Sequence, residues 1–373
     1  MSTLVSHKKN SYKKRFLFQD IPEIKTLKDL IDIGNTGKFY KNINNMMLWD
    51  ITPYLEMLNN LIGMKSLKNS MLYQILYYLQ GMQGLNEEGE FMHTIILGTP
   101  GTGKTSVAKI IGLIYKSMDL FAHTGLNCKF IQARRDNFIA EYLGQTAKKT
   151  HDFLVTCLGS VLFIDEAYCM GDGHKKDSFS KEALDTLNLF LSTHSRNFCC
   201  IIAGYEDDIK TCFLSVNSGL ESRFPWVHKI DEYTPENLVD IFLQMLLSID
   251  WKITVEKEDL IKFFNDNLDI FENKGRDILN FITKCKMVHS RRVFGQQISK
   301  KYVLTIDDLK NAAIMVKKIG LEMHRRKELS HQDGEVSPLS ARKKAGKRTV
   351  ETSKIQSVVS EIPPQSNFEA ISI

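Results

Sequence analysis

The sequence predicts an α/β fold: a five-stranded parallel sheet with helices on both faces, followed by a small α-helical domain. Three observations carry this. Apolar, strand-like runs alternate with helix-like segments between residues 91 and 231. A glycine-rich run, GTPGTGKT, separates the first of those strands from the helix after it. From residue 232 onward the pattern turns helical, with Thr, Pro and acidic start signals. Alternation of this kind buries a parallel sheet under helices on both sides.

Taken in order, residues 1–50 are polar and rich in Lys and Asn, and read as an N-terminal extension, partly disordered, with a helix around Ile24 to Ile33. From Pro53 to Gly81 the pattern gives two helices broken near Leu61-Ile62-Gly63. Strands are expected at 91–98, 128–133, 161–165, 198–203 and 227–231, so that an α/β domain occupies 51–231. Thr234-Pro235-Glu236 supplies a capping hydroxyl, proline at the first helical position and acid in the first turn. Helices are expected over 235–249, 257–271, 275–290 and 306–328, the last after the capping-box-like start at Thr305. They make a helical lid domain over 232–328. Residues 329–373 are rich in Ser, Lys and Pro, with few apolar residues, and read as a disordered basic tail.

Composition narrows the class. The chain has 373 residues, 43% of them hydrophobic, enough for a substantial core plus tails. A net charge of +5 is too small to argue nucleic-acid binding by itself. The seven cysteines (128, 157, 169, 199, 200, 212, 285) form no CxxC pair, which points to a reducing compartment without zinc or a disulfide frame. The start lacks an apolar signal region, and no apolar run is long enough to span a bilayer. A cytoplasmic protein without membrane contact is expected. The run Ala341 to Arg348 (ARKKAGKR) offers either a nuclear-import or nucleic-acid patch or a solvated tail.

GTPGTGKT, Gly98 to Thr105, follows the apolar run Ile95-Ile96-Leu97 and precedes the amphipathic SVAKIIGLIY. That setting makes the run a phosphate cradle. Gly98, Gly101 and Gly103 let backbone N–H groups turn inward, and the opening helix adds its positive end. Lys104 is expected at the β/γ-phosphates and the Thr105 hydroxyl on Mg²⁺, with Thr99, Pro100, Thr102 and Ser106 completing the binding run. GSVLFIDEAY then delivers Asp165 and Glu166 at the end of a buried strand. Asp165 is placed at Mg²⁺ and Glu166 at the attacking water. That pairing suits hydrolysis better than phosphoryl transfer to a small-molecule hydroxyl.

The order GTPGTGKT, EYLGQTAKKT, GSVLFIDEAY, CCIIAGY, NSGLESRF resembles the AAA+ ATPases, more narrowly the group of red-type Rubisco activase and stage V sporulation protein K. The resemblance runs from about Leu61 to Ala313. It implies a P-loop sheet with a helical lid, ATP as substrate, and a ring oligomer, a hexamer. It also implies that Ile62-Gly63 packs near adenine, although a helix-breaking glycine fits those residues equally. Arg223 in LESRF matches the arginine finger that reaches the neighbouring subunit's γ-phosphate; a surface salt bridge is the alternative. Arg276 in KGRDILNF matches the second sensor, against a solvated helix-start arginine. Tyr142, with Leu143 and Gly144, matches the pore loop that grips a polypeptide, against a core tyrosine. Met170 to Ser180 would form the second pore loop, with solvated side chains the alternative for its Lys175 and Lys176. One departure stands out: where most AAA+ proteins place asparagine at the end of the fourth strand, this chain has Ala203-Gly204-Tyr205. The narrower group shares it, which makes Tyr205 the candidate first sensor.

The resemblance implies an ATP-hydrolysing, chaperone-like motor that remodels an unidentified protein client. A nucleic-acid motor or loader is the alternative, with no stacking platform of aromatics and basic residues to support it. A non-hydrolysing ATP-dependent scaffold is the other, opposed by the intact set Lys104, Thr105, Asp165, Glu166 and Arg223.

Overall fold

The computed structural model describes residues 22–82, 91–142, 144–171 and 178–334. Leu143, the centre of the expected second pore loop with Lys175 and Lys176, the first residues of the extension, and the tail from 335 with its basic run lie outside the described residues. The chain divides into two compact units, Met1–Lys318 and Ile319–Ile373. The first carries everything that follows except residues 319–334 of the last helix.

Three helices open it: α1 (Leu27–Asn35), α2 (Asn45–Asn59) and α3 (Lys65–Leu79). Then come β1 (Thr94–Leu97), α4 (Lys104–Ser117), β2 (Phe130–Ala133), α5 (Arg135–Phe138), α6 (Thr146–Val155), β3 (Val161–Ile164), α7 (Ser178–Thr193), β4 (Cys199–Gly204), α8 (Glu206–Asp208), α9 (Gly219–Arg223) and β5 (Trp226–Lys229). All five strands fall where the apolar runs placed them and pair in parallel, in the order β2-β3-β4-β1-β5.

Period-two alternation sorts the sheet's side chains between two cores. Ile96, Val161, Phe163, Cys199, Ile201 and Ala203 face a layer that includes α1 to α4. Ile95, Leu97, Leu162, Ile164, Cys200 and Ile202 face the layer of α6 and α7. Every residue of β1, β3 and β4 is buried, as expected of central parallel strands covered on both faces. The register sets Leu97 beside Gly204 and Ile164 beside Ile202, so the chain leaves β1, β3 and β4 along one edge. Neighbouring strands β1 and β4 are where the strand order reverses, the usual crevice for a ligand in such sheets.

Two features differ from the sequence reading. The core reaches further toward the N-terminus than residue 51: Leu27, Leu30 and Leu48 join Ile96, Ile111 and Ile201 in one cluster. Helix α2 starts at Asn45, capped by the Asn44 side chain on the Met47 N–H, and carries Pro53 inside it. Proline forfeits one helical hydrogen bond, a cost that the fully buried Ile51, Leu55 and Leu58 around it offset. Second, the C-terminal part is not helical throughout. Between α10 (Pro235–Leu247), α11 (Lys257–Asn265), α12 (Lys274–Arg292) and α13 (Ile306–Gly334) it pairs β6 (Lys252–Ile253) with β7 (Val303–Leu304). Strands of two residues leave no period to read.

The lid has its own aromatic core, with Phe264 stacked on Phe271 at 4.6 Å and Phe242 and Phe281 around them. Beneath it, buried Asp308 takes Arg292 Nε on one oxygen at 2.8 Å and the Thr305 N–H on the other at 2.9 Å. Burial opposes its ionisation, yet Arg292, the Thr305 amide and His289 hold its carboxyl down at about 2. This network ties α12 to the start of α13.

Leu48→Ala tests whether α2 belongs to the fold. Leu48 is fully buried, so a loss of about 2–5 kcal/mol is expected, read as a lower urea midpoint at unchanged slope. A detachable extension would leave the midpoint where it was.

Candidate functional site

The glycine-rich run folds as a loop between β1 and α4. Gly101 (φ +71°) and Gly103 (φ +88°) take left-handed conformations, and Gly103 caps α4. The first N–H groups of α4 have no partners within the helix and, with its dipole, make an anion seat. Lys104, 9% exposed, donates from Nζ to the carbonyls of Gly98 at 2.8 Å and Thr99 at 3.0 Å. Burial draws its ammonium below the ordinary lysine range; Asp165 and Glu166 oppose that, and Arg276 adds to it. Thr102 is buried and donates to the Thr99 carbonyl. Thr99 and Ser106 are exposed, and Pro100 lines a 470 Å³ cavity with Gly98, Tyr205 and Asp231. A larger groove of 840 Å³ between α11 and α13 carries none of these groups.

The lid touches this loop directly. A methyl group on Gly101 would collide with the Asn273 carbonyl, and the Gly275 N–H donates to the Gly101 carbonyl at 3.1 Å. Arg276 therefore sits in the first turn of α12, against the cradle. Tyr233 donates its hydroxyl to the Thr102 carbonyl at 2.9 Å, and burial pushes it up to about 12. Gly63 (φ +67°) lies at the break between α2 and α3; a methyl there would meet Asn237 Oδ1 at 3.2 Å and the Tyr233 ring at 3.4 Å. Lys68 holds that break by donating to the carbonyls of Asn59 and Leu61. Gly63 thus stands beside the lid, and the next residue, Met64, reaches the loop at Gly103.

Asp165 leaves β3 facing the cradle and accepts the Thr105 hydroxyl at 2.6 Å. Glu166 follows in a left-handed conformation (φ +50°), exposed, with its N–H on Asp165 Oδ1 at 3.1 Å. Tyr205, at the end of β4, lies under Lys104, whose Nζ is 4.5 Å from the ring centroid. Its other neighbour is Tyr168, stacked at 5.3 Å.

Arg223 and Tyr142 lie elsewhere. Arg223 ends α9 and donates to Ser192 Oγ, Ser222 Oγ and the Gly219 carbonyl; its guanidinium lies 6.0 Å from the Phe91 ring. Phe91 and Gly98 bracket β1, so at ~3.3 Å per residue this is roughly 20 Å from its own phosphate loop. Among the described residues no carboxylate forms an ion pair with it. Tyr142 is 67% exposed and belongs to no core; Gly144 (φ +77°) has open space around it. The sequence reading missed Tyr233, Tyr168 and the Asn273 carbonyl. Tyr233 had a signal, since an aromatic just before a helix cap packs back at the helix entry. Cysteines are free throughout, and among the described residues no three metal-binding side chains converge and no helix is long and apolar enough to cross a membrane.

Comparison with known proteins gives the family and the fold. The model of the ATPase family associated with various cellular activities (AAA) matches residues 94–223. A cfxQ-like protein of Acanthamoeba polyphaga mimivirus is 37% identical over 72% of this chain and 66% of its own length. Stage V sporulation protein K of Bacillus subtilis (strain 168) is 34% identical over 66% of this chain and 78% of its own. The ESX-1 secretion system protein EccA1 of Mycobacterium tuberculosis (strain CDC 1551 / Oshkosh) is 35% identical, but the chain spans only 35% of it. Among solved structures, the FIGL-1 AAA domain in complex with ADP shares the fold, with a TM-score of 0.50 at 18% identity over 69% of this chain and 83% of that one. With its motifs, its sheet and the sporulation protein matched over most of its length, the chain belongs to the AAA family of ATPases.

Proposed function

We propose that the chain hydrolyses ATP as a ring oligomer, a hexamer, and spends the energy on remodelling a protein client. The observation that carries the reading is the split of its catalytic groups. Lys104, Thr105, Asp165 and Glu166 meet at the carboxyl edge of the sheet, while Arg223 stands near the amino end of β1. An arginine held, among the described residues, by neutral oxygens and an aromatic ring, remote from its own cradle, suits a neighbour's nucleotide.

The side chains fit ATP with Mg²⁺. Thr105 and Asp165 offer hard oxygen donors side by side, as Mg²⁺ prefers, and the triphosphate would supply the rest. When bound, the cation would shield negative charge on the β- and γ-phosphates. Lys104 already has two carbonyls to exchange for phosphate oxygens. The break at Ile62-Gly63, with Tyr233 and Asn237, offers a wall for the base. Arg276 brings positive charge from the lid. Glu166, exposed beside Asp165, orients and polarises the water, and Tyr205 beside Lys104 registers the γ-phosphate. Tyr142, with Leu143 and Gly144, offers an exposed aromatic to a client chain.

Glu166→Gln should bind ATP as the wild type does and hydrolyse it about 10²–10⁴ times more slowly. Calorimetry and phosphate release measure the two; turnover within a factor of two of wild type would remove Glu166 from the role.

For Arg223→Ala, binding should persist while turnover falls by about 10³–10⁵. Mixed with Glu166→Gln subunits it should regain activity, because some interfaces then pair an intact glutamate with an intact arginine. Rings shown to be mixed yet inactive would count against a shared site.

Tyr142→Ala should keep basal hydrolysis within a few-fold and leave the melting temperature unchanged, because an exposed ring leaves no cavity. Remodelling should fail. A variant whose only loss is DNA-stimulated hydrolysis would instead favour a nucleic-acid motor.

A further inference from the structure

Tyr168 has no role in the reading above, yet it stands at a junction. It lies two residues beyond Glu166, in the turn of 3-10 helix over Ala167–Met170. Its ring stacks on Tyr205 at 5.3 Å with 26° between the planes, and Tyr205 in turn underlies the Lys104 ammonium at 4.5 Å. The stack is built into the backbone. A methyl on Gly204 would approach Tyr168 Cδ1 at 3.0 Å and Ile209 Cδ1 at 2.8 Å, so the end of β4 stays bare where the ring lies. On the far side, Arg135 Nη1 donates to the Cys169 carbonyl at 2.6 Å, fixing the same turn to α5. Glu166 itself enters this turn in a left-handed conformation, with the Cys169 N–H on its carbonyl at 2.8 Å. Displacing the Tyr168 ring therefore moves the turn that aims Glu166. Burial and the nearby Glu166 charge both push the Tyr168 hydroxyl upward, which keeps it neutral beside the carboxylate.

We infer that Tyr168 is a positioning residue of the hydrolytic site: through its stack on Tyr205 it couples the state of Lys104 to the orientation of Glu166. The inference rests on the ATPase reading. Lys104 is held by two carbonyls and the Tyr205 ring, so a phosphate oxygen that draws on its ammonium acts on Tyr205, on the Tyr168 ring stacked against it, and through that ring on the turn that carries Glu166. Two aromatic rings thus do here what a single short polar side chain at the strand end cannot, since they reach from β4 to the turn after β3.

The test is steady-state ATP hydrolysis by the full chain carrying Tyr168→Leu or Tyr168→Phe, with ADP affinity and melting temperature measured alongside. Tyr168→Leu should lower kcat about tenfold or more, with KM and ADP affinity within about twofold, as expected when an interaction acts only in the transition state. Tyr168→Phe keeps the stack and should retain kcat within about threefold. In a Glu166→Gln background, single-turnover hydrolysis should show little further loss from Tyr168→Leu, because residues that act through one another are not additive. Should Tyr168→Leu fail to fold, Tyr168→Met removes the same ring, leaves Tyr205 in place and carries the same kcat expectation. Unchanged kcat in Tyr168→Leu, equal losses in both backgrounds, or a loss that tracks weaker ADP binding would each overturn the inference. A wild-type chain that binds ATP without turnover would overturn the hydrolysis reading and this one with it. An active wild type with an unaffected Tyr168→Leu would overturn this one alone.

Discussion

Everything at the site depends on a buried ammonium. An unpaired charge moved out of water costs several kcal/mol, so Lys104 at 9% exposure has to be surrounded by compensating groups. The Gly98 and Thr99 carbonyls, the Tyr205 ring and the nearby carboxylates of Asp165 and Glu166 are those groups. Each comes from the end of a different buried strand: β1, β4 and β3. Only a parallel sheet whose central strands finish along one edge delivers three such ends to one lysine. The strand order β3-β4-β1 therefore serves the lysine as directly as it serves the core.

The same constraint explains why the lid is where it is. A loop that turns its N–H groups inward leaves carbonyls facing outward, and these need donors. The lid provides two, the Gly275 N–H on Gly101 and the Tyr233 hydroxyl on Thr102. Contact is close enough that a side chain at position 101 would collide with the Asn273 carbonyl. Any change in the loop on phosphate binding is thus felt at α12, whose far end is braced to α13 through Asp308 and Arg292. The lid is joined to the loop by short, directional bonds, so it can follow the loop without a flexible intermediary.

How much of this was legible in the sequence follows from which interactions leave a local pattern. The phosphate loop and the Asp165-Glu166 pair were readable because glycine spacing and a buried strand ending in acid are contiguous signals. The five strands were readable because burial on both faces turns each into an apolar run. The Tyr168–Tyr205 stack joins two residues distant in sequence, and its cause is a bare Gly204 that reads as an ordinary strand-end glycine. Helix α2 was placed too late because Pro53 looks like a helix start; only the packing of Leu48 and Ile51 against the sheet's helices shows that it lies inside. The pairing of β6 with β7 is too short to carry any period.

What a single chain lacks is as informative as what it contains. The cradle has cations from its own α4 and lid, Lys104 and Arg276, while Arg223 is spent on serine hydroxyls and a carbonyl some 20 Å away by the strand's ~3.3 Å rise. Neutral oxygens hold a guanidinium in place without neutralising it, and a folded chain gains little from keeping such a group half-buried. On the proposed reading the charge becomes useful when a second chain brings its phosphates to it, because the guanidinium's fork then meets paired anionic oxygens instead of neutral ones. Assembly and catalysis would then share one residue: without the neighbour, Arg223 has, among the described residues, serines, a carbonyl and the Phe91 ring, and the neighbour's nucleotide lacks this arginine.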